Sequence, residues 1–297
     1  MKPQGTFSRP SRPHPLTLDM IRHKWESMLA RGETVGTATH HALYFVLDYF
    51  LGKPWLDTHV LFECTHPGYA AMKPVMVDDQ YGVDKAHTQR ALELAETLFN
   101  LQETPGLDYV IDRIMSGQIE SAVAELDFGM FMRIQGTQFS YRGETGVKGQ
   151  DYDVDLVYPD GTPAGCDIKC KLDGSAFSKN GLLNALKAAK TQIPEDLPGV
   201  AFVKIPQEWV NRETGEIGAG DAVHRALEEF FRNTNRMVLV AIYCKLTTEV
   251  ATGTQINHVC RQWENAATKF PRDGSWDLFD PGRQVPGWAN LSVVLRM

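Results

Sequence analysis

Apolar positions along this chain follow two different periods, and the change from one to the other divides it. From about residue 16 to residue 107 the spacing is helical. Thr17 precedes Leu18-Asp19-Met20-Ile21 and can open a helix that runs through Trp25, Met28 and Leu29. Residues 42–51 form a dense apolar and aromatic run, which reads as a buried helix. In residues 83–101, Ala91, Leu94, Ala95 and Leu98 fall at i, i+3, i+4 and i+7, the face of an amphipathic helix. Thr104-Pro105-Gly106 ends that pattern, and Pro54, Pro67-Gly68 and Pro74 mark loops. Ser116 suits the N-cap of a helix over 117–134, with Ile119, Ala122, Val123, Leu126 and Met130 turned inward and Glu125 near the edge of that stripe.

From residue 138 the period shortens. Strands are expected at 138–142, 151–158 and 167–172, a helix at 181–192, a strand at 200–205 and a helix at 221–232. Residues 237–245 are almost all apolar, as a strand covered on both faces requires. A short helix at 258–267 and a last strand at 290–296 complete the reading. The fold class expected is mixed α+β or α/β: a helical region over 16–115, then a mixed β-sheet flanked by helices over 116–297. Residues 1–15, rich in Pro, Ser and Arg, read as a disordered or loosely docked tail.

Composition narrows the setting. Hydrophobic residues make up 43% and charged residues 23% of the 297, which suits a folded soluble protein. No apolar run is long enough for a transmembrane helix, and the N-terminal residues lack the apolar core of a signal peptide, so no membrane partner is expected. Five cysteines without a Cys-x-x-Cys pair fit neither a disulfide framework nor a zinc site, and point to the cytoplasm. The net charge of −7 is not that of a protein that coats nucleic acid. Charge is local, however: residues 165–205 hold six lysines against four acids.

That stretch carries the chemistry. Gly149-Gln150-Asp151-Tyr152-Asp153-Val154-Asp155-Leu156 reads as one strand of a hairpin, and Cys166-Asp167-Ile168-Lys169-Cys170-Lys171 as its return. Alternation puts Asp151, Asp153 and Asp155 on one face, and Asp167, Lys169 and Lys171 on one face of the return strand. Between them Tyr158-Pro159-Asp160-Gly161-Thr162 has x-Pro-Asp-Gly-x turn chemistry. If Pro159-Asp160-Gly161 is a three-residue loop, Tyr158 pairs with Thr162 and Asp153 stands opposite Asp167. A bulge near Pro163-Ala164-Gly165 would bring Asp155 there instead. Carboxylates opposed across a ladder repel unless a cation lies between them.

The order helix-Glu, acidic strand, turn, Asp-x-Lys strand, Lys/Gln helix and apolar strand resembles the PD-(D/E)xK nuclease superfamily over about residues 116–245. Tyr152 or Val154 stands where the family name has proline. The resemblance implies a restriction-endonuclease-like core and a Mg²⁺-dependent endonuclease that hydrolyses phosphodiester bonds in DNA, with Mn²⁺ able to substitute. Asp153, Asp167 and Glu125 would be the metal ligands, and Lys169 would orient the attacking water or stabilise the transition state. Asp155, Gln192, Lys190 and Lys171 are supporting or alternative positions. The implied partner is DNA, with RNA as the alternative polymer, and a second copy of this chain in a homodimer is the other partner to be considered; restriction or defence enzymes of this size are the nearest analogy. Two other readings compete. Asp153 and Asp155 could be the acidic pair of a metal-dependent nucleotidyltransferase, although the segment before them lacks that family's Gly-Ser or Gly-Gly turn. Alternatively, the chain could be a retired nuclease fold that binds nucleic acid.

Overall fold

A computed structural model describes residues 7–12, 14–60, 74–77, 80–83, 85–172, 174–218, 221–250, 253–280, 282–283 and 285–296. Expectations for Pro67-Gly68 lie outside these residues. The fold is α+β, and the chain divides into two compact units: residues 1–130 with 286–297, and residues 131–285.

The first unit is mainly helical: α1 (Leu18–Leu29), α2 (Val35–Leu51), α3 (Lys53–His59), a hairpin of β1 (Pro74–Val77) and β2 (Gln80–Val83), α4 (Lys85–Leu101), α5 (Leu107–Met115) and most of α6 (Ile119–Gln135). Thr17 and Thr34 cap α1 and α2 by accepting from Met20 N–H and Thr37 N–H. The i, i+3, i+4 stripe of α4 is buried, Ala91, Leu94, Ala95 and Leu98 being at most 2% exposed. Pro54 opens α3 rather than breaking the chain, because a first-turn residue needs no N–H partner. Helix α5 was not expected from the sequence: Gly106, at φ +80°, starts it, and Ser116 closes it instead of capping α6. The tail is docked at Arg9 and Arg12, which pair with Asp108, and Gln102 holds both the N–H and the carbonyl of Leu16 (2.8 and 2.9 Å). The far C-terminus belongs to the same unit. Trp288 Nε1 and Leu291 N–H donate to Glu96 (2.9 and 3.0 Å), and residues 291–294 form helix α9 (Leu291–Val294) where a strand was expected.

The second unit is built on a six-stranded mixed sheet. Its strands are β3 (Gln138–Tyr141), β4 (Val154–Val157), β5 (Pro163–Cys170), β6 (Gly199–Lys204), β7 (Met237–Val250) and β8 (Gly253–Glu264), side by side in chain order. β3–β4, β4–β5 and β7–β8 are antiparallel; β5–β6 and β6–β7 are parallel. The parallel steps are made by α7 (Lys179–Gln192) and, after a 3-10 turn at Gln207–Trp209, by α8 (Ala222–Arg232). Leu182, Leu183 and Leu186 of α7 and Val223, Leu227 and Phe230 of α8 pack with Ala201 and Val203 of β6 and Val240 and Ile242 of β7 into one buried cluster. Residues 237–244 are wholly buried, as their unbroken apolar run demands. The segment 258–267 is not a helix: it continues β8, paired with β7 from Leu239↔Glu264 to Val250↔Gly253. Its polar residues are those of an edge strand with one wet face.

Candidate active site

The β4–β5 hairpin closes on a three-residue loop. Tyr158 N–H donates to Thr162 O (2.9 Å), Gly161 N–H returns to Tyr158 O (2.8 Å), and Asp160 Oδ1 accepts from Thr162 N–H (3.0 Å). Gly161 sits at φ +84°, where a side chain would be strained. This loop fixes the pairing Val157↔Pro163 through Val154↔Cys166. The regular pairing ends there, and Asp153 stands just before the first paired residue of β4.

At that point the ladder changes character. Asp153 N–H donates to Cys166 O (3.1 Å), and its carboxylate Oδ2, rather than a main-chain carbonyl, takes the Ile168 N–H (2.6 Å). A carboxylate has thus replaced one rung of the sheet. Asp167 is 1% exposed, and Lys169 Nζ lies 2.6 Å from its Oδ2, so the two residues of Asp-x-Lys share a face as the period of two requires. They stand beside Ala201 and Val203 in the parallel register, on the face that α7 and α8 cover. A carboxylate taken this far out of water needs a counter-charge, and Lys169, itself 28% exposed, supplies it while keeping a path to solvent. Cys166 reports the local field: burial pushes its thiol well up, and the negative charges of Asp167 and then Asp153 push it further.

The three aspartates of the acidic strand do not share a face. Asp151 turns back to the preceding loop, where its Oδ1 accepts from Thr145 Oγ1 (2.6 Å), Thr145 N–H (2.7 Å) and Gly146 N–H (3.0 Å). Those bonds, the Thr145 hydroxyl first, hold its carboxyl below the usual range. Asp155 stands opposite Gly165 and accepts from Tyr152 OH (2.6 Å) and from Arg142 Nη1 (3.1 and 3.3 Å). Regular alternation fails because residues 151–153 precede the regular part of β4. Tyr152 there folds onto Gly165, whose bare α-carbon gives the ring room: a Cβ would come within 3.1 Å of it.

The other expected residues disperse. Glu125 lies in the first unit on α6, 4% exposed and paired with Arg113, which also donates to Ser121 Oγ (3.2 Å) and Gln118 Oε1 (3.1 Å). Lys190 Nζ reaches Asn233 O at the end of α8 (3.2 Å). Gln192 is the half-buried last residue of α7, and Lys171 follows β5 with its N–H on Lys204 O (2.8 Å). The structure adds Arg142 and Tyr152. Their signal in the sequence was the β3–β4 register, which sets Arg142 beside Asp153 (Arg142 N–H to Asp153 O, 2.9 Å).

Neither the models of protein families nor the curated proteins match this chain. The donor set must therefore be judged on its own chemistry. Among the described residues no group of three or more His, Cys, Asp or Glu could hold a metal ion. Two acidic side chains, Asp153 and Asp167, fit Mg²⁺, which keeps most of its waters and is bound through one or two carboxylates and substrate phosphate.

Proposed function

We propose that the second unit is a Mg²⁺-dependent phosphodiesterase that hydrolyses DNA, with Asp153, Asp167 and Lys169 as its active residues. The observation that carries this reading is the broken rung of the hairpin: the Asp153 carboxylate is tied to Ile168 N–H, one residue from the buried Asp167–Lys169 pair. Asp153 and Asp167 would hold the ion, which when bound polarises a nonbridging phosphate oxygen and lowers the pKa of a coordinated water. The Ile168 N–H fixes the Asp153 carboxylate in advance, so little ordering is left for the moment of reaction. The Lys169 ammonium, drawn to Asp167 and partly open to solvent, is placed to orient a water and to stabilise charge growing on the phosphate oxygens. In the net reaction the water oxygen bonds to phosphorus, one P–O ester bond breaks, and the departing oxygen takes a proton.

The transferase alternative needs Asp155 as a second metal ligand. Asp155 is engaged by Tyr152 and Arg142, which favours the hydrolytic reading.

The test is cleavage of plasmid, linear duplex and single-stranded DNA with Mg²⁺ or Mn²⁺ by the wild type, Asp167→Ala and Lys169→Ala. The wild type is expected to cut and both variants to be slower by about a thousandfold. Equal activity of all three would overturn the reading, and pyrophosphate release from nucleoside triphosphates would favour the transferase.

A further inference from the structure

Arg142 is only half used. Its Nη1 alone meets both oxygens of Asp155, and its guanidinium carbon lies 4.3 Å from the centre of the Tyr152 ring. The other edge of the fork, Nε with Nη2, meets no acceptor among the described residues, and Nε is shielded from solvent without a hydrogen bond. A buried donor left unpaired is costly, so an arginine serving only to brace Asp155 would be expected to turn this edge to a neighbour. Nη2, which unlike Nε is not shut off from solvent, is the donor of this edge that a phosphate oxygen can reach.

The surroundings hold that edge in place. Tyr152 OH donates to Asp155 (2.6 Å), the same carboxylate that Nη1 of Arg142 meets. The Tyr152 ring rests on Gly165, and Arg142 N–H is bonded to the main chain of Asp153. Gly165, opposite Asp155, is two residues before Asp167 on β5, about 7 Å along the strand. Asp155, which the guanidinium meets, is thus paired two residues along β5 from Asp167, and the Arg142 side chain is 27% exposed.

We propose that Nη2 of Arg142 binds a backbone phosphate of DNA next to the scissile one, with Tyr152 and Asp155 as the residues that position it. This rests on the phosphodiesterase reading for the meaning of "scissile", and the test separates the two. Binding of a duplex oligonucleotide in EDTA is measured against salt concentration for the wild type, Arg142→Gln, Arg142→Lys and Tyr152→Phe, with each fold checked by thermal melting. Each phosphate neutralised contributes about 0.9 to the slope of log K against log salt. Arg142→Gln is expected to weaken binding roughly tenfold and to lower that slope by about 0.9. Arg142→Lys keeps the charge, so it should keep the slope while losing part of the affinity; Tyr152→Phe should keep the slope. A purely bracing Arg142 would leave the slope alone.

An unchanged slope in folded Arg142→Gln, beside plasmid cleavage that depends on Asp167, would overturn the phosphate anchor and leave the nuclease standing. A slope that depends on Arg142 without metal-dependent cleavage would support the anchor and overturn the nuclease. No binding by the wild type would overturn both.

Discussion

The two ends of the β4–β5 hairpin are made of similar parts put to opposite uses. At the turn, Asp160 is bonded to Arg272 Nε (2.7 Å) and to Thr162 N–H; Arg272 lies over the Tyr158 and Trp276 rings (4.1 and 5.2 Å), and Tyr158 OH donates to Trp276 O (2.9 Å). Each charge there has an opposite charge or a donor, and the result is a clamp. At the open end the ladder stops short of Asp153, whose carboxylate takes the Ile168 N–H, and the buried Asp167 has one lysine, Lys169, between burial and solvent. A buried charge held by a single partner adds less to stability than a charge fully matched at a clamp. The turn holds the register, and the open end departs from it.

Asp167→Asn is the sharpest way to break this contrast. It is expected to cost about a thousandfold in cleavage rate, close to 4 kcal/mol of transition-state stabilisation, with some fall in melting temperature as the half-buried Lys169 loses its partner. A cleavage rate equal to wild type beside that fall would mean that Asp167 is a structural ion-pair partner only. Gly165→Ala tests the span between the ends. Its Cβ would come within 2.9 Å of Leu197 Cδ2 and 3.1 Å of the Tyr152 ring, and overpacking of this kind costs about 1–3 kcal/mol. Calorimetry should show that loss; a melting temperature equal to wild type would mean Tyr152 is not seated there. Tyr158→Phe removes one buried hydrogen bond and should cost about 1 kcal/mol with activity unchanged. The smallest effect concerns acid. The Arg272 hydrogen bond, then that from Thr162 N–H, holds the Asp160 carboxyl down to about 2 from an ordinary 3.8. A carboxyl lowered in the folded state adds stability above pH 4, and that part is lost as pH falls from about 4 through 2. Asp160→Asn should therefore flatten the acid limb of stability slightly, and an acid limb that superimposes on wild type would argue against the clamp.

What the sequence disclosed follows from where local rules govern. The Pro-Asp-Gly turn sets the register by loop length alone, so the pairing as far as Val154↔Cys166 was legible, and Asp-x-Lys needed only a period of two; the expected facing of Asp153 and Asp167 lies one residue beyond that pairing, where Asp153 N–H turns to Cys166 O. The common face of Asp151, Asp153 and Asp155 was not, because Thr145 and Gly146 offer Asp151 three donors that no periodicity reveals, and Gly165 leaves a seat for Tyr152. Strand β8 was misread as a helix because its polar face belongs to an edge strand, whose partner β7 is visible only in the fold. Arg142 was missed because its importance depends on pairing across a loop.

The order of the strands carries a kinetic consequence. Since β3 to β8 lie in the sheet as they lie in the chain, each can add to an edge already present, and none has to be inserted between two others. Loop closure ranks the steps: β4 and β5 are joined by five residues, whereas β5 to β6 and β6 to β7 each wait for a helix. Hairpins form in microseconds. The β4–β5 turn therefore has the lowest closure cost in the sheet, and the hairpin that carries Asp167 and Lys169 lasts only once β6 and the helices cover it.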